Sequence, residues 1–243
     1  MSPLKRYLAR RNAVCSVSAC GRTTDGISKL CNRHKRLCLR NGAPTANSIR
    51  KSEVRHARKE VQAFLKANAG HPTLTKTFGY INEVLDHYAV RGEPYVTRNI
   101  KPATYSHRLA CELYRLKTSG CTAAEVFEEV ATLFLFTLRD PRRLQRHTRE
   151  HHFQTARMVL NLRPRFSKSF ISGNTGRKYS TANRLSSEVL DKFGTFLNVQ
   201  LIGSLCAMTE SIEFNRKREE RFKRELASTL AAHPFSAAEP AHA

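Results

Sequence analysis

The sequence predicts a mainly α-helical protein in which a small cysteine- and histidine-containing module precedes an all-α domain of about seven helices. Three observations support this prediction. Apolar residues recur at spacings of three and four along most of the chain, strand-like alternation is almost absent after residue 44, and three cysteines and a histidine cluster within residues 15–34. We expect the module, called here the Cys/His module, to span residues 1–44, the helical domain residues 45–230, and a flexible tail residues 231–243.

Apolar stripes mark the first three helices of the predicted helical domain. Apolar and aromatic residues recur at helical spacing over residues 54–65, 74–88 and 105–116, and glycine, serine or proline follows each stretch. A stripe with this period covers one side of an α-helix. We therefore predict three amphipathic helices in that order, the second ending near Gly92.

A capping box predicts where the next helix begins. In Thr122-Ala-Ala-Glu125 the threonine hydroxyl and the glutamate carboxylate can each satisfy a free backbone amide. The VATLFLF segment that follows is apolar on nearly every side, which predicts a buried central helix. The segments 104–118 and 122–138 would form an αα-hairpin. A helix-turn-helix DNA reader has a similar pattern, but three glutamates between residues 125 and 129 would face phosphates unfavourably.

The last third of the chain alternates basic, polar and apolar segments. We predict a strongly basic helix at about 142–162, a helix over the apolar stripe at 185–201 and a final charged helix at about 207–230. The polar loop SGNTGRKYST separates the first two. This loop is either a plain connector or a phosphate-binding loop in which Arg177 and Lys178 assist the backbone amides, although it lacks the spacing of a P-loop.

The charge of the chain is strongly positive and unevenly spread. The 243 residues carry 42 Lys and Arg against 20 Asp and Glu, a formal net charge of +22. Residues 1–50 hold 11 basic residues and one acidic residue, residues 151–200 hold eight and two, and residues 201–243 hold six of each. Such an excess favours a polyanionic partner, which for an intracellular protein means nucleic acid. No apolar run approaches the roughly 20 residues that span a bilayer, so we expect no membrane association.

The cysteine cluster has the composition and spacing of a zinc site. The total of seven cysteines is odd and three of them are scattered, which argues against a disulfide framework and for an intracellular protein. Zinc prefers four cysteine or histidine ligands, usually supplied as two close pairs. Cys15 and Cys20 form the first pair, and Cys31 and His34 form the second. Cys38, one helical turn after His34, is a rival fourth ligand. We predict one structural zinc ion at this cluster.

The segment 15–44 resembles the short zinc fingers of phage and mobile-element proteins, which often stand beside HNH-type endonuclease domains. The matching residues are Cys15, Cys20-Gly21-Arg22, Leu30-Cys31, His34, Arg40, Gly42 and Pro44. The segment departs from the pattern at Lys35, where an aromatic residue often follows the histidine, and at Cys38, where tryptophan is common. The resemblance implies that Cys38 is a packing residue. It also implies a zinc-stabilised DNA-binding element, and it does not extend to the nuclease.

Two groups of cations are candidates for phosphate contacts. Those of the Cys/His module are Arg22, Lys29, Arg33, Lys35, Arg36 and Arg40. Those of the second basic flank, at 142–178, are Arg142, Arg143, Arg146, Arg149, Arg177 and Lys178. Cations exposed in this way neutralise phosphates and release counterions, so binding would weaken steeply with salt.

Catalytic interpretations have weaker support. The string HTREH at 147–151 has the spacing of a helical metalloprotease motif, but arginines surround it and no acidic pocket is evident. HNH chemistry needs further ligands downstream, and the histidine that follows His152 is His233. The Asp-x-Lys and Glu-x-Lys patterns of other nucleases do not occur. A divergent nuclease therefore stays a third hypothesis.

The sequence thus favours a non-enzymatic, zinc-dependent DNA-binding protein, either a regulator or an architectural factor encoded by a phage or mobile element. We expect it in the cytoplasm on DNA, and we favour duplex DNA over RNA as its partner. The alternative is an RNA-binding or scaffold subunit of a larger nucleoprotein complex. In that case the helical domain would contact a protein partner or a second copy of the chain.

Overall fold

A computed structural model describes residues 13–24, 28–162, 167–171, 178–182 and 186–232, with no side-chain description for the residues of 167–182 and for 229–232. This part of the chain contains seven α-helices and one β-hairpin. The helices are α1 (Asn32–Asn41), α2 (Arg55–Ala67), α3 (Pro72–Thr97), α4 (Tyr105–Thr118), α5 (Ala123–Arg139), α6 (Arg149–Leu160) and α7 (Ser187–Ala232). Strands β1 (Ser167–Ile171) and β2 (Lys178–Ala182) pair antiparallel, with Ser169 opposite Ser180. The predicted fold class is confirmed, because a cysteine-rich segment precedes a helical body.

The central helix is α5, as its apolar sequence predicts. It begins at the capping box: the Thr122 Oγ1 accepts from the Glu125 amide at 3.2 Å, and the Glu125 carboxylate accepts from the Thr122 amide at 2.8 Å. Helices α2, α3, α6 and α7 all pack against α5. Phe127, Leu133 and Leu135 are fully buried, so α5 is a core helix and not a groove-reading helix.

Two arginine clamps hold the helices around α5. The Arg58 guanidinium of α2 donates to both carboxylate oxygens of Glu129 at 2.7 Å. The Arg139 guanidinium, at the end of α5, pairs with Glu60 of α2 and with Glu213 of α7, the latter at 3.1 Å. The glutamates near the start of α5 therefore serve helix capping and ion pairing.

Helix α6 starts later and is more buried than predicted. The Thr148 Oγ1 accepts from the His151 amide at 3.2 Å and caps the helix there, so residues 141–147 form turns. Both faces of α6 lie in the core, including His151 and Phe153. Of the arginines predicted for a basic helix at 142–162, those at 142, 143 and 146 thus precede α6.

Three further boundaries differ from the prediction. Helix α3 continues past Gly92, where the sequence predicted its end, to Thr97. The two helices expected at 185–201 and 207–230 are one helix, α7, because Gly203 lies on its exposed side and does not interrupt it. The end of the polar loop forms β2. Its residues Tyr179 and Thr181 favour a strand, but two such residues are too few to give a recognisable alternation of apolar and polar positions. Residues 172–177 of that loop lie outside the described residues.

Helices approach most closely at two glycines. A Cβ atom on Gly92 of α3 would lie 2.1 Å from the Ala110 carbonyl oxygen of α4, and one on Gly194 of α7 would lie 1.9 Å from the His152 carbonyl oxygen of α6. Real Cβ atoms do not come within 3.0 Å of another atom. The α3–α4 and α6–α7 pairs therefore depend on the absence of a side chain at these positions.

The last part of α7 extends past the core. Its last buried residue is Ile212, and residues 214–228 are all exposed. The side chains of Phe214 and Phe222 are 68 % and 64 % exposed. Charged residues surround them, and each helix in the described ranges is either too short or too polar to cross a membrane.

Candidate metal centre and basic surface

The four predicted ligand residues meet at one point. The Cys20 and Cys31 Sγ atoms lie 3.8 Å apart, and the His34 Nδ1 lies 3.3 Å from the Cys15 Sγ and 3.6 Å from the Cys31 Sγ. All four ligand atoms fall within 4.8 Å of one another, close enough to hold a metal ion. Within the described ranges no other group of three or more His, Cys, Asp or Glu residues does so.

A short two-stranded turn supplies the first ligand pair. Val14 and Thr23 form an antiparallel bridge, and the Cys15 amide donates to the Arg22 carbonyl oxygen at 2.8 Å. The chain reverses through Ala19 and Gly21, both with φ of +59°. Such a backbone favours glycine and small residues, which matches the SACG sequence. The reversal places Cys20 beside Cys15.

The start of α1 supplies the second pair. Cys31 is the N-cap residue, and His34 lies in the first turn. The Cys31 amide donates to the Cys15 Sγ at 3.3 Å, which ties the helix to the turn. The side chains of Cys15 and Cys31 are buried and those of Cys20 and His34 are half-buried, so the ligand atoms are screened from water on one side.

The two thiols of the first pair have opposite pKa shifts. Burial raises the pKa of the Cys15 thiol, but hydrogen bonds from the Cys31 and Val17 amides outweigh this effect and lower the pKa to about 6. The Arg22 amide lowers the pKa of Cys20, but burial and the neighbouring thiols raise it above the ordinary value. Metal ligands must be deprotonated, so metal binding would release protons from this group.

Cys38 does not belong to the ligand group. Its side chain is half-buried in the last turn of α1, where the Sγ lies 3.9 Å from the Gly42 carbonyl oxygen. The four close ligand atoms include His34 instead. This arrangement agrees with a packing role for Cys38.

The cations of the Cys/His module all lie on its surface. None of them forms an ion pair with a carboxylate in the described part of the chain. They are Arg22, Lys29, Arg33, Lys35, Arg36 and Arg40. Among the described residues, no carboxylate neutralises these six charges.

The second basic flank is different, because most of its described cations have partners within the chain. Arg143 pairs with Glu53 at 2.7 Å, and Arg149 pairs with Asp191 at 3.4 Å. The Arg146 guanidinium lies over the Phe134 ring, 5.3 Å from its centre. Arg142 is exposed. The predicted contact Arg177 lies outside the described residues, and the Lys178 side chain is likewise not described.

The HTREH string does not form a metal site. His147 is exposed, whereas the His151 side chain is 1 % exposed and neither of its ring nitrogens has a hydrogen-bond partner. The His152 Nδ1 lies 2.9 Å from the Thr195 Oγ1 of α7. Burial lowers the pKa of His151 to about 3. His151 is therefore a neutral core residue at ordinary pH.

We expect His151 to make the protein sensitive to acid. Its folded-state pKa lies below the unfolded value of about 6.5, so below pH 6.5 the unfolded chain binds a proton that the folded chain does not. The free energy of unfolding should fall by up to about 1.4 kcal/mol per pH unit, or about 2 kcal/mol at pH 5. Above pH 6.5 the contribution vanishes. Urea unfolding of the wild type and of His151→Leu at pH 7.5 and pH 5 tests this, and an equal loss of stability in both proteins would contradict it.

The fold and the site together define a mainly α-helical protein with a Cys₃His cluster able to hold a metal ion. Comparisons of the chain with protein-family models, with curated protein sequences and with solved structures found no match.

The four residues that the sequence predicts as ligands are the ones that the structure brings together, but sequence reasoning missed a role for Arg157. This half-buried arginine of α6 donates to the Asn41 Oδ1 at 3.0 Å, at the end of α1. No local signal marks the pair, since its members are 116 positions apart.

Proposed function

We propose that the chain is a zinc-dependent DNA-binding protein without enzymatic activity, acting as a regulator or architectural factor of the kind encoded by phages and mobile elements. One observation carries this proposal. The Cys₃His cluster fixes the start of a short helix, α1, whose exposed cations have no acidic partner in the described residues. A metal-stabilised basic helix of this kind is suited to phosphate binding.

The separations within the cluster support zinc as the metal. Tetrahedral zinc with bonds of about 2.3 Å to sulfur and about 2.0 Å to nitrogen places two sulfurs about 3.8 Å apart and a sulfur and a nitrogen about 3.5 Å apart. The corresponding distances here are 3.8 Å, and 3.3 Å and 3.6 Å. Three thiolates also favour zinc over hard cations. The bound ion would have a structural role, replacing the core that so short a segment cannot build.

The charge distribution supports a nucleic-acid partner. The Cys/His module holds six exposed cations that are candidates for phosphate contacts, whereas the described second flank contributes chiefly Arg142 and Arg149. Each phosphate neutralised lowers the logarithm of the binding constant by about 0.9 per tenfold rise in salt. The module would therefore supply most of the affinity and of the salt dependence.

An alternative function is supported by the exposed end of α7. Its two exposed phenylalanines lie among charges of both signs, an arrangement that suits a protein contact better than a phosphate contact. A subunit of a larger nucleoprotein complex would use α7 for assembly and the Cys/His module for structured RNA.

A salt titration distinguishes these functions. Binding to a DNA duplex, its single strand and an RNA hairpin is measured by fluorescence anisotropy before and after zinc removal. We expect the duplex to bind tightest and chelation to weaken it sharply. Tightest binding to the RNA hairpin would favour the alternative, and no effect of chelation would contradict the role of the metal.

The residues responsible are tested with two matched triple variants. Replacing Arg33, Arg36 and Arg40 by glutamine should lower the salt slope for the duplex by about 2.7, because three phosphate contacts are lost. The control replaces Lys66, Lys76 and Arg91, which are exposed cations on α2 and α3, and has the same net charge. An equal loss of slope in both variants would show that only the total charge matters.

A further inference from the structure

The C-terminal end of α1 rests directly on the first turn of α6. Gly42, with φ of +90°, terminates α1. A Cβ atom on Gly42 would lie 2.9 Å from the Arg149 carbonyl oxygen and 3.0 Å from the Glu150 Cα. The backbones of the two helices therefore touch at a position where a side chain would not fit.

Arg157, two turns further along α6, binds the same end of α1. One nitrogen of its guanidinium donates to the Asn41 Oδ1 at 3.0 Å and to the Ser48 Oγ at 3.1 Å. The Asn41 side chain is buried, and its amide donates to the Ala46 carbonyl oxygen at 2.7 Å. These hydrogen bonds around the buried Asn41 side chain leave α1 little freedom to rotate about its contact with α6.

A second set of contacts holds the connecting segment. The Arg143 guanidinium and the Gln154 amide both approach the Asn47 carbonyl oxygen at 3.5 Å, and Arg143 also pairs with Glu53. Side chains from α6 and from the turn before it thus fix the segment between α1 and α2. The Cys/His module is docked on the helical body and does not hang from a free linker.

We infer that this junction makes α1 and the start of α6 a single phosphate-binding surface, with Arg157 as the positioning residue that sets their relative orientation. The inference rests on the proposed DNA binding. Arg142 is exposed. The half-exposed Arg149 guanidinium forms a long ion pair with Asp191 at 3.4 Å and lies 5.4 Å from the centre of the Phe153 ring. Exposed contacts of this kind contribute little free energy, so both arginines can turn to an external phosphate at small cost.

The Arg149 backbone adjoins Gly42 at the end of α1. Arg142 is the neighbour of Arg143, whose guanidinium contacts the segment that follows α1, so a duplex lying along α1 also reaches both arginines.

The dimensions of the helices set the length of duplex required. The ten residues of α1 span about 15 Å. At about 3.4 Å per base pair, α1 alone covers about four base pairs, and a duplex must extend past its C-terminal end to reach Arg149. A hairpin-closed duplex of 12 base pairs can therefore engage both parts, whereas one of five base pairs engages α1 alone.

The test is a double-mutant cycle on the salt slope. The first change replaces Arg142 and Arg149 together by glutamine, and the second is Arg157→Met. The control for the lost charge is Arg91→Met, because Arg91 is an exposed arginine of α3. In the wild-type background the glutamine pair should lower the slope by about 1.8 on the 12-base-pair duplex and leave the five-base-pair duplex unchanged. In the Arg157→Met background the glutamine pair should have no effect on either duplex.

Two further measurements separate positioning from folding. The absorption spectrum of the cobalt-loaded protein and the thermal midpoint should be the same for Arg157→Met and the wild type. If Arg157→Met alters either one, Ser48→Ala, which removes one acceptor of the same guanidinium, replaces it in the cycle.

Each outcome has one meaning. An equal effect of the glutamine pair in both backgrounds would overturn the positioning role of Arg157. No effect of the pair in the wild-type background would overturn the joint surface while leaving DNA binding by the module intact. A wild-type protein that binds neither duplex at any salt concentration would overturn the proposed function itself.

Discussion

Replacement of Cys31 by serine is expected to abolish tight zinc binding and to unfold the Cys/His module. Cys31 lies centrally in the Cys₃His cluster, with its sulfur 3.8 Å from the Cys20 sulfur and 3.6 Å from the His34 Nδ1. It is also the N-cap of α1, without a side-chain capping bond. Serine is a better N-cap than cysteine, so the substitution does not weaken the helix start. Any loss of structure then reports the loss of the metal.

The expected effect is large because metal binding supplies the folding energy of such modules. Structural zinc in small domains contributes about 10–16 kcal/mol at neutral pH, and loss of one of four ligands should weaken zinc binding by several orders of magnitude. Competition with a chelator measures the zinc affinity, and amide exchange in α1 measures the unfolding. Binding to the duplex should fall with it, while the thermal transition of the helical body persists.

Cys38→Ser is the matched control. It removes a thiol from the same helix, seven positions further along, outside the ligand group. We expect zinc affinity and α1 protection to stay as in the wild type. If Cys38→Ser released the metal and Cys31→Ser did not, the ligand assignment would be wrong.

Replacement of Gly194 by alanine is expected to prevent stable folding. The new Cβ would lie 1.9 Å from the His152 carbonyl oxygen, so α6 and α7 would have to move apart by more than 1 Å along a buried interface. Protein interiors relax only partly around an added atom. We expect a loss of at least about 4 kcal/mol in the free energy of unfolding, in the range where few point substitutions fall.

Gly203→Ala provides the comparison within the same helix. Gly203 is exposed, and a Cβ there meets nothing within 4 Å. Alanine in a helix interior is more favourable than glycine by about 0.5–1 kcal/mol, so this variant should be slightly more stable than the wild type. Urea unfolding measures the free energy of unfolding of both variants. Similar changes of this free energy in the two variants would contradict the close packing of α6 on α7.

Local signals in the sequence predict those features that depend on neighbouring residues. The capping box at Thr122 and Glu125 predicts the first residue of α5 correctly, because both of its hydrogen bonds form within one helical turn. The ligand group is predictable for the same reason, since two close pairs of zinc-type ligands leave few other arrangements. The fully apolar VATLFLF segment likewise identifies the core helix.

Features that depend on distant contacts are not predictable in this way. Gly194 and Gly203 lie in the same helix, and only the position of α6 distinguishes a glycine that is required from one that is not. His151 is buried because α6 packs against other helices. The polar side chain gives no sign of this burial in the sequence. The Arg157–Asn41 contact joins residues from opposite halves of the chain and leaves no periodic pattern.

The position of α5 has a consequence for how the protein unfolds. Four other helices pack against α5. If any one of them detached, it would expose apolar side chains of α5 that also contact the remaining helices. We therefore expect the helices around α5 to unfold together as one cooperative unit. The cysteine-rich segment takes its stability from its own ligands and from one junction with α6. Loss of a bound metal ion would then unfold the Cys/His module alone and leave the helical body folded.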